Sequence, residues 1–238
     1  MPSLMRTDKF VSEQLGISRT DAKKLISSGS IAVNGSCVTR PEHKLSPESD
    51  IVTHGGNLIV YREHIYIMLN KPQGVICATR DGLSRTVLEL IPPELRRNGL
   101  FPAGRLDKDT EGFVFITDDG DTAHRMLSPK SHVSKLYYAE LEKEAEDDYI
   151  TAFENGLVID GGEKCLPAKI EICPDRHFVY ITLFEGKYHQ IKRMAQAVGN
   201  NVIYLKRIKI GGITLDERLK PGECREIMHK ELAELYTL

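Results

Sequence analysis

What most limits the folds open to this chain is the order of its apolar runs. Strand-like stretches fall at 65–69, 75–78, 113–117, 135–141, 168–172, 178–183 and 202–210, and helices fit 121–127, 147–155, 188–198 and 229–235. Several strands follow one another with no helix between them, so the strict alternation of a parallel, doubly wound sheet is missing. The pattern predicts an α+β domain built on a mainly antiparallel sheet. A smaller unit precedes it. Phe10, Val11 and Leu15 suit a short helix, and Ser18-Arg19-Thr20-Asp21 resembles a capping box that opens a second one. Ala22, Leu25 and Ile26 carry the helical period to Gly29, with Arg19, Lys23 and Lys24 on the opposite side. Asn34-Gly35 between Ile31-Ala32-Val33 and Cys37-Val38 is a two-residue hairpin signal. Pro41, Pro47 and Gly55-Gly56-Asn57 mark the exit, which divides the chain into domains 1–58 and 59–238.

Composition narrows the classes. No apolar run among the 238 residues approaches the roughly 18–20 a membrane helix needs. The start, Met1 to Asp8, lacks the apolar core of a signal peptide, so a cytoplasmic protein with no membrane partner is expected. Cys37, Cys77, Cys165, Cys173 and Cys224 form no C-x-x-C pair; reduced core thiols are expected rather than disulfides or a zinc cage. The net charge of −2 hides local stripes. Residues 1–62 hold eight Lys/Arg against six acids, and 186–209 hold Lys187, Lys192, Arg193, Lys206, Arg207 and Lys209 with no acid. A polyanion responds to such stripes more than to the sum.

Three stretches carry candidate chemistry. Gly104-Arg105-Leu106-Asp107-Lys108-Asp109-Thr110-Glu111-Gly112 is a charged loop ahead of the apolar strand Phe113–Thr117. It suits a rigidly presented reactive group, or more plainly a solvated turn bonded to its own backbone. Two acids this close also fit glycoside hydrolysis, which needs a separation no sequence displays. Glu185 to Met194 is a turn entering a helix whose start and cations suit an anion. His189 there has no second ligand at metal spacing, and Lys192-Arg193 alone reads as a solvated face. In Ser134–Leu141, alternation puts Lys135, Tyr137 and Ala139 on one strand face, and Leu136, Tyr138 and Glu140 on the other. A tyrosine there is ordinary packing, or beside a basic groove a platform for a base.

Together, in this order, the stretches are specific. Asn70-Lys71-Pro72-Gln73-Gly74, Ala103 to Asp107 with Asp109-Thr110, Lys135-Leu136-Tyr137, Glu185 to Met194, Ile210 to Asp216 and Pro221-Gly222-Glu223 closely resemble the RsuA-type family of ribosomal RNA pseudouridine synthases, its small-subunit branch most of all. Residues 5–52 resemble the small RNA-binding module named after ribosomal protein S-four. The resemblance implies a catalytic domain with a mixed, largely antiparallel sheet flanked by helices. It implies that Asp107 is the catalytic aspartate, that Arg105 displaces the target base, and that Tyr137 stacks on the flipped uracil. It also implies that Lys192 pairs with the aspartate and that Ile191 packs in the pocket.

Isomerising uridine moves the ribose from ring nitrogen to ring carbon without gaining or losing an atom, so neither redox cofactor nor metal is expected. A carboxylate enclosed away from water tends to protonate unless a cation is near, the part expected of Lys192. Extruding the base costs about a few kcal/mol, comparable with the roughly 1–3 kcal/mol of stacking on an aromatic ring. Arg19, Lys23, Lys24 and Arg193 are the expected RNA contacts. The expected partner is 16S ribosomal RNA, naked or in an assembling small subunit, met by a monomer. The rivals are a sibling enzyme acting on 23S RNA, a non-catalytic RNA-binding protein and, more distantly, a metal hydrolase or glycosidase.

Overall fold

The computed structural model of the protein describes residues 4–128 and 131–237. Its contacts form two compact units: residues through Ile65 together with Ile91–Leu100, and Tyr66–Leu90 together with residues from Phe101 onward. The boundary expected at 58/59 lies inside the first unit. Side chains draw 91–100 back to that unit: Arg97 donates to the carbonyls of Arg62 (2.9 Å) and Glu63 (3.2 Å), and Asn98 to that of Ile17 (3.4 Å).

The first unit contains β1 (Met5–Arg6), α1 (Thr7–Leu15), α2 (Arg19–Ser27), β2 (Ile31–Val33), β3 (Ser36–Val38), β4 (Lys44–Leu45), β5 (Val52–His54) and β6 (Asn57–Ile59). Four strands form an antiparallel sheet in the order β3-β2-β5-β6, and β1 pairs with β4. Phe10 and Val11 of α1, Ala22 and Ile26 of α2, and Ile31 and Val52 of the sheet meet in its core. The Ser18 hydroxyl caps α2 by accepting the Asp21 N–H at 3.1 Å. The Asp21 carboxylate takes the Ser18 hydroxyl and Lys24 instead, so the capping box is half made. Asn34 (φ 50°) and Gly35 (φ 79°) both sit in the left-handed region that a tight hairpin turn demands.

The second unit contains β7 (Tyr66–Lys71), β8 (Phe101–Ala103), β9 (Glu111–Thr117), α3 (Gly120–Leu127), β10 (Lys135–Leu141), α4 (Asp148–Glu154), β11 (Val158–Ile159), β12 (Glu163–Lys164), β13 (Lys169–Ile172), β14 (Phe178–Leu183), α5 (Gln190–Ala197), β15 (Val202–Ile210), β16 (Ile213–Thr214), β17 (Cys224–Glu226) and α6 (His229–Leu232). Its main sheet runs β13-β14-β10-β15-β9-β7-β17, with β8 on β9 and β16 on β15. Among the described strands of this sheet only β9 and β15 pair in parallel, so the mixed, mainly antiparallel sheet is borne out. Residues Phe113 to Ile116 of β9 are fully buried, and their alternating side chains fill both faces of the sheet. Phe113 and Phe115 share one core with Met68, Ala123 and Met126, which anchors α3.

Several details differ from expectation. Residues 75–78 form no strand. Gly74, at φ 82°, donates to the Lys108 carbonyl (2.8 Å), and Ile76 makes an isolated bridge to Thr86, so this segment buttresses the loop before β9. The third helix starts at Gln190 rather than 188, because His189 takes φ 47°. The last helix gives way after Leu232 to a 3-10 turn over Ala233–Tyr236. All five cysteines are free, but only Cys165 is a core thiol; Cys37 is exposed and the other three half-buried. β11, β12, β16 and β17, two or three residues each, are too short for a periodic signal.

Candidate active site

The loop from Gly104 to Thr110 is held from beneath by Lys71, a wholly buried residue of β7. Its ammonium donates to the carbonyls of Pro72 (3.1 Å), Lys108 (3.3 Å) and Thr110 (2.7 Å). Burial lowers its pKa, and three carbonyl acceptors offset the cost of enclosing the charge. The Leu106 N–H donates to Cys77 Sγ (3.3 Å) and the Thr110 N–H to the Asp107 carbonyl (3.1 Å), closing a tight turn. Asp107 is thereby fixed with its side chain about a quarter exposed.

The turn into α5 is fixed by its own side chains. Glu185 accepts from Gln190 Nε2 and the Leu166 N–H, both at 2.8 Å, and Gln190 Oε1 accepts the Lys187 N–H at 2.9 Å. His189 stacks on Tyr188 with centroids 3.8 Å apart. Its Nε2 lies 3.5 Å from Asp107 Oδ1. One turn into the helix, Lys192 Nζ lies 3.4 Å from Asp107 Oδ2 but 2.6 and 2.8 Å from the two Asp109 oxygens. The expected Lys192–Asp107 pair is therefore a shared one, with the hydrogen bonds going to Asp109. That bond holds the Asp109 carboxyl below its usual pKa range, against burial.

β10 and β15 complete the walls. A register shift between Leu136 and Tyr137 sets Lys135 opposite Ile210, Leu136 opposite Lys209 and Tyr137 opposite Arg207, leaving Ile208 as the extra residue of a bulge. Directly opposed residues share a face, so the bulge brings Arg207 to the side of Lys135 and Tyr137. Arg207 Nε donates to the Phe113 carbonyl (2.7 Å) and Nη1 contacts the Tyr137 hydroxyl (3.4 Å). Its guanidinium carbon lies 5.9 Å from the Tyr137 ring centroid.

These elements enclose a cavity of about 550 Å³, within the usual range for small-ligand sites. Arg105, Asp107, Tyr137, Ile191 and Lys192 all line it, as do Lys135, His189 and Arg207, which sequence reasoning had not assigned to a site. Arg105 is exposed, whereas Tyr137 and Ile191 are buried. Alternation along β10 already places Lys135 beside Tyr137, and His189 lies within the Glu185–Met194 motif; for Arg207 no local signal exists. Arg193, an expected RNA contact, is engaged within the protein. Its side chain is largely enclosed and is held by the Asp160 carboxylate, the Asp160 carbonyl, Glu163 and the Tyr188 carbonyl. In the first unit, Lys23 and Lys24 are exposed, while Arg19 reaches the fully buried Asp8 carboxylate at 3.0 Å. Among the described residues no cluster of three His, Cys, Asp or Glu has metal-site geometry, and no helix is long and apolar enough to cross a membrane.

Residues 65–197, which carry most of this cavity, match the RNA pseudouridylate synthase family. The chain belongs to that family. As a pseudouridine synthase it is an isomerase acting on uridine in RNA, and its residues 5–52 match the S4 domain. The chain is 46% identical over 231 residues to an RNA pseudouridine synthase of Bacillus subtilis (strain 168), YtzG, covering 96% of this chain and 97% of that protein. It is 43% identical over 231 residues to ribosomal small subunit pseudouridine synthase A of Escherichia coli (strain K12), covering 96% and 99%. A crystal structure of a pseudouridylate synthase superposes with a TM-score of 0.68 at 40% identity, covering 97% of this chain and 99% of that one.

Proposed function

We propose that this synthase modifies a uridine of 16S ribosomal RNA, with Asp107 as the catalytic carboxylate. The observation that carries the chemistry is the meeting of Asp107, Tyr137, Ile191 and Lys192 around one cavity. The small-subunit substrate rests on the 43% identity, over nearly the whole chain, to a synthase named for that subunit.

The target nucleotide leaves its stack and enters the cavity, its place in the RNA taken by Arg105 at the mouth. Its base lies against the Tyr137 ring and the Ile191 side chain. Stacking of this kind is worth about 1–3 kcal/mol, enough to offset much of the cost of extrusion. Asp107 faces the sugar and the base edge. Lys192 and the Leu106–Thr110 turn fix it at the rim of the cavity. Asp109 anchors the Lys192 ammonium, so the cation supports Asp107 without closing on it. Arg193 acts within the protein, tying the first turn of α5 to Asp160 and Glu163. Residues 1–58 bind the RNA backbone through Lys23 and Lys24, with Arg19 beside them, and residues 59–238 do the chemistry. The protein works as a monomer in the cytoplasm.

Chemical mapping of pseudouridines on 16S and 23S RNA, naked and in assembling particles, before and after treatment with the protein, tests this reading. One new site in 16S RNA is expected. New sites confined to 23S RNA would move the substrate to the large subunit, and none in either would end the proposal.

A further inference from the structure

The cavity floor contains two cations with no counter-charge. Lys135 and Arg207 are 7% and 4% exposed. Among the described residues neither has an acidic partner, unlike Lys192, Lys187 and Arg193, which each lie beside a carboxylate. The Lys135 ammonium makes no hydrogen bond to a described residue, and Arg207 Nη2 is buried without an acceptor. Burying an unpaired cation destabilises a fold, and two together repel. The bulge in β15 nonetheless brings both to the face that carries Tyr137. Burial and the nearby Arg207 lower the Lys135 pKa to about 8, so it still carries its proton at neutral pH.

We propose that Lys135 and Arg207 bind the carbonyl edge of the target uracil and hold the negative charge that the base acquires as its bond to ribose breaks. This rests on the placement of the base against Tyr137 given above. When the C1′–N1 bond breaks, its electron pair stays on the base, spread from N1 over the two carbonyl oxygens, and C1′ is left electron-poor. The base turns, C5 supplies a pair to rebuild the bond to C1′, C5 gives up its proton and N1 takes one. Atoms and charge balance, and only the interval between cleavage and rejoining is anionic. Fixed donors in a water-poor site act most strongly on charge that develops during reaction. The same donors favour uracil, whose O4 accepts, over cytosine, whose amino group in that place donates.

The test is Lys135→Met, compared with Lys135→Arg and Asp107→Asn, read by single-turnover pseudouridine formation, RNA affinity and Tm. Removing one donor of this type typically lowers turnover by about 10²–10³-fold. Lys135→Met is expected to lose about that much, to bind RNA within about threefold of wild type, and to melt at or above the wild-type Tm. Lys135→Arg, which restores the charge, is expected to recover much of the rate. Four results overturn the proposal: a Lys135→Met rate within about threefold of wild type; parallel losses of rate and RNA affinity; no rescue of rate by Lys135→Arg; or joint losses of rate and Tm without that rescue. Asp107→Asn separates the two readings. If it is inactive while Lys135→Met is normal, only the cationic floor fails; if it is active, the assignment of the site fails first.

Discussion

Lys192 stands between two carboxylates, and its hydrogen bonds go to the one that the family resemblance does not assign to catalysis. An ammonium bonded directly to Asp107 would compete with substrate for the same oxygens; held by Asp109, it offers charge while leaving them accessible. Asp107, Tyr137, Ile191 and Lys192 were legible in the sequence because each belongs to a short motif. The hold of Asp109 on Lys192 was not, since it spans 83 positions and depends on where α5 lands. At Tyr137 the ring is expected to matter more than the hydroxyl, whose contact to Arg207 is long. Tyr137→Ala should lose about tenfold to a hundredfold in turnover, the loss of roughly 1–3 kcal/mol of stacking, and Tyr137→Phe much less; equal losses would shift the role to the hydroxyl. At Lys135 burial, with Arg207, places the pKa near 8 in the folded protein, below its value of 10.5 in an unfolded chain. Between those values the unfolded state binds more protons, so stability rises with pH there. Relative to Lys135→Met, which lacks the group, the wild type should gain Tm between pH 8 and 10; a pH-independent difference would contradict the buried charge.

The elements that build the site are joined by one irregularity and one glycine. The β15 bulge resets alternation, so Arg207, which the sequence places in a basic surface stripe, becomes part of the cavity floor. Period-two reasoning finds strands but not an extra residue within one, which explains the miss. Gly112 lets β9 lie parallel to β15. At φ 100°, a Cβ there would fall 2.2 Å from the Arg207 carbonyl oxygen. Gly112→Ala should therefore destabilise the second unit by at least the ~1–3 kcal/mol of a strained backbone, with a lower Tm and a loosened Arg207; an unchanged Tm would mean the strands part without cost. The long strands were legible from apolar runs. The apolar residues of 75–78 read as a strand, whereas the backbone makes one isolated bridge, with Ile76 bonded to Arg85 and Val87. Lys71 lay in a recognised motif, yet a buried lysine that gathers three carbonyls is visible only in three dimensions.

At the scale of the whole molecule, the work divides between a unit with an exposed basic helix and a unit with an enclosed cavity. Both were legible from composition shifts and strand order, except for 91–100, which joins the first unit through Arg97 and Asn98. If Lys23 and Lys24 contact phosphates, reversing both to Glu should weaken RNA binding and flatten its slope against log salt by roughly 1.5. An unchanged slope would remove them from the interface. Turnover at saturating RNA should barely change, because the cavity is untouched. The central claim concerns which carboxylate acts, and it is tested most directly by single-turnover pseudouridine formation in 16S RNA by Asp107→Asn beside Asp109→Asn. Asp107→Asn should bind the RNA and form no pseudouridine above background, while Asp109→Asn stays within about tenfold of wild type, the scale of a lost supporting contact rather than of the reacting group. Turnover by Asp107→Asn close to that of the wild type would contradict the account.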